Sequence, residues 1–231
     1  MSRRVDDEAA FTAERARMVE RDLRKRGIHD ERVLRAMGRV PRHRFVSPSL
    51  AASAYADVPL PTVEGQTISQ PYIVALMTQA LVLSGGEKVL EVGTGSGYQA
   101  AVLAESGADA WSIERSPALL SAASARLASL GYPGIHLVLG DGTLGLAEEA
   151  PFDRILATGS LPRVPSGLTS QLRPAGIFVG PIGGLFDQRL VRIEYDPPHS
   201  KEETLCACRF VPLVGAAGWP ETATHCPKEK R

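Results

Sequence analysis

The chain has 231 residues, 44% hydrophobic and 23% charged, and its 26 basic and 26 acidic side chains cancel to zero net charge. A chain of this length buries about 70–75% of its surface around a full core, and its composition excludes disordered, collagen-like and disulfide-scaffold classes. Neutrality leaves no global field for gripping nucleic acid or an anionic membrane, and no apolar run nears the ~18 residues of a span, so neither partner is expected.

From the start of the chain, Met1–Asp7 is charged and lacks the apolar stretch of a secretion signal, which predicts a cytoplasmic protein. Residues 8–26 read as a helix with Phe11, Met18, Val19 and Leu23 near one face and Gly27 as its stop. A second short helix follows Asp30, a suitable N-cap, with Val33, Leu34 and Met37 on its apolar side. Residues 40–61 are rich in Pro, Ser and Ala and read as packed but irregular. Pro71 opens a helix expected to reach Leu83, with Gly85 and Gly86 beyond it.

After this point short apolar runs alternate with helical segments. Strands are predicted at 88–92, 110–114, 136–139, 154–158 and 177–181, with helices near 98–106, 117–130 and 165–172. Such alternation predicts an α/β fold, a doubly wound and mostly parallel sheet covered by helices on both faces. Two more β-like runs, 189–195 and 205–211, have no helix-length connection between them and predict an antiparallel pair near the C-terminus. The N-terminal helices are expected to pack on the carboxyl edge of the sheet as an appendage. Cys206 and Cys208 sit two apart in a β-like run without a histidine at zinc-finger spacing, and no metal site is expected.

In an open parallel sheet the ligand crevice lies beyond the carboxyl ends of the strands. Here the first strand runs into Glu91-Val92-Gly93-Thr94-Gly95-Ser96-Gly97-Tyr98. A dinucleotide fingerprint needs a small residue where Tyr98 stands, a Walker loop needs Gly-Lys-Ser/Thr, and a nucleophile elbow at Ser96 needs glycines at 94 and 98. What remains is acidic-x-Gly-x-Gly-x-Gly, the form used by proteins that bind S-adenosylmethionine, whose cationic amino group suits a nearby acid. The second strand ends at Glu114, nineteen residues beyond Gly95, the usual distance for a carboxylate that accepts both ribose hydroxyls. The third ends in Gly140-Asp141-Gly142, which places a third carboxylate, Asp141, at the same edge near the adenine.

Ahead of the sheet lies Gly65-Gln66-Thr67-Ile68-Ser69-Gln70-Pro71. With this segment on to Tyr72, Val40-Pro41-Arg42, Val89–Ala101, Ser112–Arg115, Gly140–Gly142, Pro151-Phe152-Asp153 and Arg209–Leu213, the chain closely resembles the protein-L-isoaspartate O-methyltransferases over roughly residues 15–215. The resemblance implies a class I methyltransferase-like sheet and methyl transfer from S-adenosyl-L-methionine, leaving S-adenosyl-L-homocysteine. The acceptor it implies is the free α-carboxylate of an isoaspartyl residue in damaged proteins and peptides, whose ester closes to a succinimide. It further implies Ser69 as the active-site serine, and Gln66, Thr67 and Ser69 as substrate contacts, with Thr67 and Ser69 also touching the cofactor. Glu91, Gly93, Gly95 and Gly97 match the cofactor loop, Glu114 the ribose ligand, and Asp141 with Gly142 the adenine side.

The expected organisation is residues 1–70 as helical appendage and substrate-contacting segment, 71–219 as the S-adenosylmethionine-binding α/β domain, and 220–231 as a loose polar tail; a monomer is the expected state. Family members commonly run Thr-Ala-Ala-x-Pro after the fourth strand, where this chain has Thr158-Gly159-Ser160-Leu161-Pro162. Flexibility at Gly159 and bulk at Leu161 are expected to act on the substrate side. Trp219 reads equally as a lid over the site or as a surface anchor. Two alternatives stay open on the residues alone: a methyltransferase of the same fold acting on a small molecule or on nitrogen, and a cofactor-binding module without catalysis.

Overall fold

The computed structural model of the protein describes residues 2–225. Helix α1 (Ser2–Met18) runs on through a wider turn at Val19–Leu23 and a tight one at Arg24–Arg26, and Gly27 ends it in a left-handed conformation, φ 96°. Helix α2 (Glu31–Arg39) starts at Asp30, whose carboxylate accepts the N–H groups of Arg32 and Val33. Its buried Val33, Leu34, Ala36 and Met37 form one face. Turns at Arg42–Phe45 and Pro48–Ser53 carry the chain to a two-residue pair, β1 (Leu60–Pro61) against β2 (Thr67–Ile68), antiparallel with Leu60 opposite Ile68. Helix α3 (Pro71–Ala80) follows.

The main sheet comprises β3 (Lys88–Val92), β4 (Asp109–Glu114), β5 (His136–Leu139), β6 (Phe152–Ala157), β7 (Leu172–Gly183), β8 (Gln188–Tyr195) and β9 (Lys201–Cys208). Its spatial order is β5-β4-β3-β6-β7-β8-β9, parallel as far as β7, with β8 and β9 antiparallel. Helices α4 (Tyr98–Glu105), α5 (Pro117–Ser129) and the single turn α6 (Ser166–Thr169) connect the parallel strands. From β3 the chain first winds outward through β4 and β5 and later returns to β6 on the other side. The crevice of a doubly wound sheet therefore falls beyond the carboxyl ends of β3 and β6. Successive strand residues serve opposite faces. Val89 joins a core with Met37 and Leu103, whereas Leu90 joins one with Phe152, Leu168 and Phe178.

Several expectations change, among them the helix near 165–172, which is a single turn because Leu172 already pairs with Phe152 at the start of β7. Helix α3 stops at Ala80 rather than Leu83, because its last carbonyls are taken from the side: Arg192 Nε donates to Ala80 O at 3.0 Å, and Arg154 donates to Leu81 O and Val82 O. The last strand runs 201–208 and not 205–211, because residues 210–213 leave β8 and cross the carboxyl edge. There Ser160 N donates to Val211 O at 2.8 Å, and Leu213 N to Ser160 O at 2.9 Å. The helical appendage packs on the α3–α4 layer instead of the carboxyl edge. Arg32 donates to Ser84 O and Ser106 O, in the turns that precede β3 and β4, and Arg39 pairs with Glu105 at 2.9 Å. The stretch from Glu64 to Ser69 reaches that edge. No described helix is long and apolar enough to cross a membrane.

Candidate active site

At the carboxyl ends of β3, β4 and β6 lies a cavity of about 350 Å³, within the size range of small-molecule sites. Gln66, Thr67 and Ser69 form one wall, Glu91, Gly93 and Gly95 the floor, and Glu114 with Gly142 the far side. Of the positions singled out from sequence, these eight converge. Gly97 and Asp141 stand outside the wall.

The glycine loop is shaped by contacts a side chain would break. Gly93 has φ 99°, and a Cβ there would lie 2.6 Å from Thr158 Oγ1. Gly95, at φ 52°, faces open space, so a ligand can approach its backbone directly. Gly97 starts α4 with φ 85° and rests against Leu127, which holds α5 close to the loop.

The acids differ sharply in environment. Glu114 is buried, and its two oxygens accept the N–H groups of Gly95 and Ser116, each at 3.0 Å. A carboxylate offers about four lone-pair sites, so two remain for hydroxyls in the cavity. Glu91 is fully buried; Ser112 donates to its Oε2, and Ser112 in turn meets Thr94 Oγ1 at 2.7 Å. Its Oε1 is buried without a partner. Burial, reinforced by nearby Glu114 and only partly offset by Ser112, raises its pKa to about 8. That orphaned acceptor at the cavity floor suits a cationic group.

Asp141, expected on the adenine side, stands just behind the cavity lining. It accepts from Thr143 N, Thr143 Oγ1 and Ala216 N at 2.9, 2.6 and 2.7 Å, and so holds the 215–218 loop against the third strand's end. Burial alone would raise its pKa, but these bonds and the charge of Arg115 outweigh burial and lower it. Trp219 does not line the cavity: its backbone N–H donates to Leu213 O at 2.8 Å, and its indole N–H is buried without a partner.

At the altered turn, Leu161 is fully buried in the core beside Ile182, so its bulk never reaches the cavity. Gly159 does line it, and a Cβ there would lie 2.8 Å from Leu213 Cγ and 2.9 Å from Val211 O. The glycine thus admits the crossing segment, whose Phe210, Val211 and Leu213 complete the wall. Sequence reading gave this segment no role, although its match at Arg209–Leu213 was the signal. Glu64, which lines the cavity, was also missed; Ser116 Oγ donates to it at 2.8 Å. Among the described residues no group of three or more His, Cys, Asp or Glu is placed to hold a metal ion.

The family model described as protein-L-isoaspartate(D-aspartate) O-methyltransferase matches residues 13–218. Protein-L-isoaspartate O-methyltransferase 1 of Syntrophobacter fumaroxidans is 54% identical over 209 residues, 90% of this chain and 98% of that protein. A solved protein-L-isoaspartate O-methyltransferase superposes with a TM-score of 0.81 at 29% identity, covering 88% of this chain and 67% of that one. A Plasmodium falciparum protein, titled as a putative enzyme of this kind in complex with S-adenosyl-L-homocysteine, shares the fold at a TM-score of 0.75 and 24% identity, over 87% and 98% of the two chains. With the matched region taking in α2, the Gln66–Ser69 segment and the whole parallel sheet, the chain belongs to the protein-L-isoaspartate(D-aspartate) O-methyltransferase family.

Proposed function

We propose that this chain methylates the free α-carboxylate of L-isoaspartyl residues in damaged proteins and peptides, and so starts their repair through a succinimide. The observation that carries the reading is the convergence of Gln66, Thr67 and Ser69 with Glu91 and Glu114 around one cavity. S-adenosyl-L-methionine, when bound, supplies an electrophilic methyl group on a sulfonium and leaves as the neutral thioether S-adenosyl-L-homocysteine. The residues present fit it. Glu114 has lone pairs left for ribose hydroxyls, Glu91 offers an unpartnered acceptor to an ammonium group, and Gly93 and Gly95 let the backbone approach. Gly142 borders the adenine end, where a Cβ would lie 2.7 Å from Val92. Asp141 and Gly97 support that end and the loop from behind.

The acceptor carboxylate, with an ordinary pKa near 4, is ionised at pH 7 and needs no strong base. What the protein supplies is alignment and a dry site. Ser69 and Thr67 are neutral donors, which orient an anion without holding its charge as an ammonium or guanidinium would. Residues 1–70 give the acceptor-side wall and 71–219 the cofactor-binding part, in a monomer acting in the cytoplasm; 226–231 of the polar tail lie outside the described residues. The substrate needs neither nucleic acid nor membrane.

The test mixes purified protein with methyl-labelled S-adenosylmethionine and paired peptides carrying L-isoaspartate or L-aspartate at one position. Base-labile label on the isoaspartyl peptide alone is expected. Label on neither peptide, or base-stable label, would overturn the reading. Ser69→Ala should lower kcat/KM for the isoaspartyl peptide about 10–100-fold, the worth of one hydrogen bond to a charged group.

A further inference from the structure

Ser69 lies between two fixed points. Upstream, Ile68 is buried and paired with Leu60, and Thr62 N donates to Gln66 O at 2.8 Å. Downstream comes the start of α3, where Pro71 has no N–H and Gln70, the nominal N-cap, makes no side-chain cap bond. The missing acceptor comes from a distant part of the chain. Asp57 Oδ1 accepts the Tyr72 N–H at 2.9 Å, and Asp57 Oδ2 accepts Gln70 Nε2 at 3.2 Å.

The Asp57 side chain is only 15% exposed, and its charge is matched by Arg26, which also donates to Oδ2. The same guanidinium lies over the Tyr72 ring, 3.8 Å from its centroid. Asp57 therefore caps α3 from outside and holds Gln70, the residue next to Ser69. An acid at a helix N-terminus is favourable in itself. Its neutralisation by Arg26 also keeps an unpaired negative charge from facing an anionic acceptor.

We infer that Asp57 is a positioning residue for methyl transfer, fixing Ser69 against the acceptor carboxylate through Gln70 and the first turn of α3. This rests on the acceptor-side reading of Gln66–Ser69. The wild-type peptide assay separates the two failures: without turnover in wild type that reading falls, whereas with turnover only the Asp57 role is at stake.

The experiment compares Asp57→Ala and Asp57→Asn in the full chain, reading kcat and KM for an isoaspartyl peptide, Kd for S-adenosylhomocysteine, and Tm. Asparagine keeps the acceptor for Tyr72 N–H. Asp57→Ala is expected to lower kcat about 30–100-fold with the Kd within about threefold of wild type, since misplaced reacting groups cost rate steeply. Asp57→Asn should recover at least about tenfold of that loss. A role confined to stability would lower Tm in both variants without this split between kcat and Kd. The inference is overturned if Asp57→Ala keeps kcat within about threefold, if Kd weakens as much as kcat falls, or if asparagine rescues nothing. Should Asp57→Ala fail to fold, Gln70→Leu decides: a kcat loss of about five- to tenfold supports the role, and unchanged kcat overturns it.

Discussion

Glu114→Ala is expected to weaken S-adenosylhomocysteine binding about 10²–10³-fold. In the proposed site two ribose hydroxyls donate to this carboxylate, and hydrogen bonds to charged groups contribute about 1.5–3 kcal/mol each. The same oxygens accept Gly95 N–H and Ser116 N–H, so truncation also frees the glycine loop from the second strand. A Tm lower by about 5 °C should accompany the lost affinity, at about 2–4 °C per kcal/mol for a chain of this size. Titration calorimetry on the folded variant checks this. A Kd within threefold of wild type would show that the ribose is held elsewhere.

Glu91→Gln should separate the charge of the floor acid from its shape. With a pKa near 8 the ligand-free side chain is mostly protonated at pH 7. A cation prefers the ionised form, so below pH 8 binding must expel a proton, at a cost of about 1.4 kcal/mol per pH unit. Association should therefore strengthen about tenfold per unit up to about pH 8, level once Glu91 is fully ionised, and weaken again where the ligand's own amino group loses its proton. Glutamine removes this slope and weakens binding at pH 8 about tenfold or more.

Stability runs the other way. A carboxyl whose folded pKa is raised stabilises the fold below its unfolded value, here 4.5, and that contribution is lost as pH rises toward 8. Glutamine does not titrate, so the ligand-free variant should melt about 5 °C or more above wild type at pH 8 and show no gain at pH 4. A pH-independent Kd in the wild type, or a variant less stable at pH 8, would contradict the neutral-acid assignment.

Much of this was legible because sheet and loop carry local signals. The parallel strands read from short apolar runs, and β3, β5 and the start of α5 lie where expected. The glycine loop and Glu114 were found by spacing along two adjacent strands, which the parallel register of Glu91 with Ser112 and Val92 with Ile113 makes meaningful. What escaped depends on contacts between distant segments. No local pattern says that arginines from β6 and β8 end α3, or that residues 210–213 turn across the carboxyl edge. Asp141 was placed correctly at a strand end, yet its carboxylate turns to Ala216, seventy-five residues away. Leu161 looked like bulk beside the substrate, but side chains alternate beyond β6 and this one turns into the core. Gly159 shows its meaning only once Leu213 is seen against it.

The central claim is that an isoaspartyl carboxylate is held by the Gln66–Ser69 wall in line with the cofactor's sulfur. A crystal structure with S-adenosylhomocysteine and an isoaspartyl peptide tests it most directly. The account predicts the ribose on Glu114, the ammonium at Glu91 Oε1, and an acceptor oxygen within hydrogen-bond reach of Ser69 Oγ on the side the sulfur faces. A carboxylate bound away from Ser69, or a sulfur turned toward another wall, would contradict it.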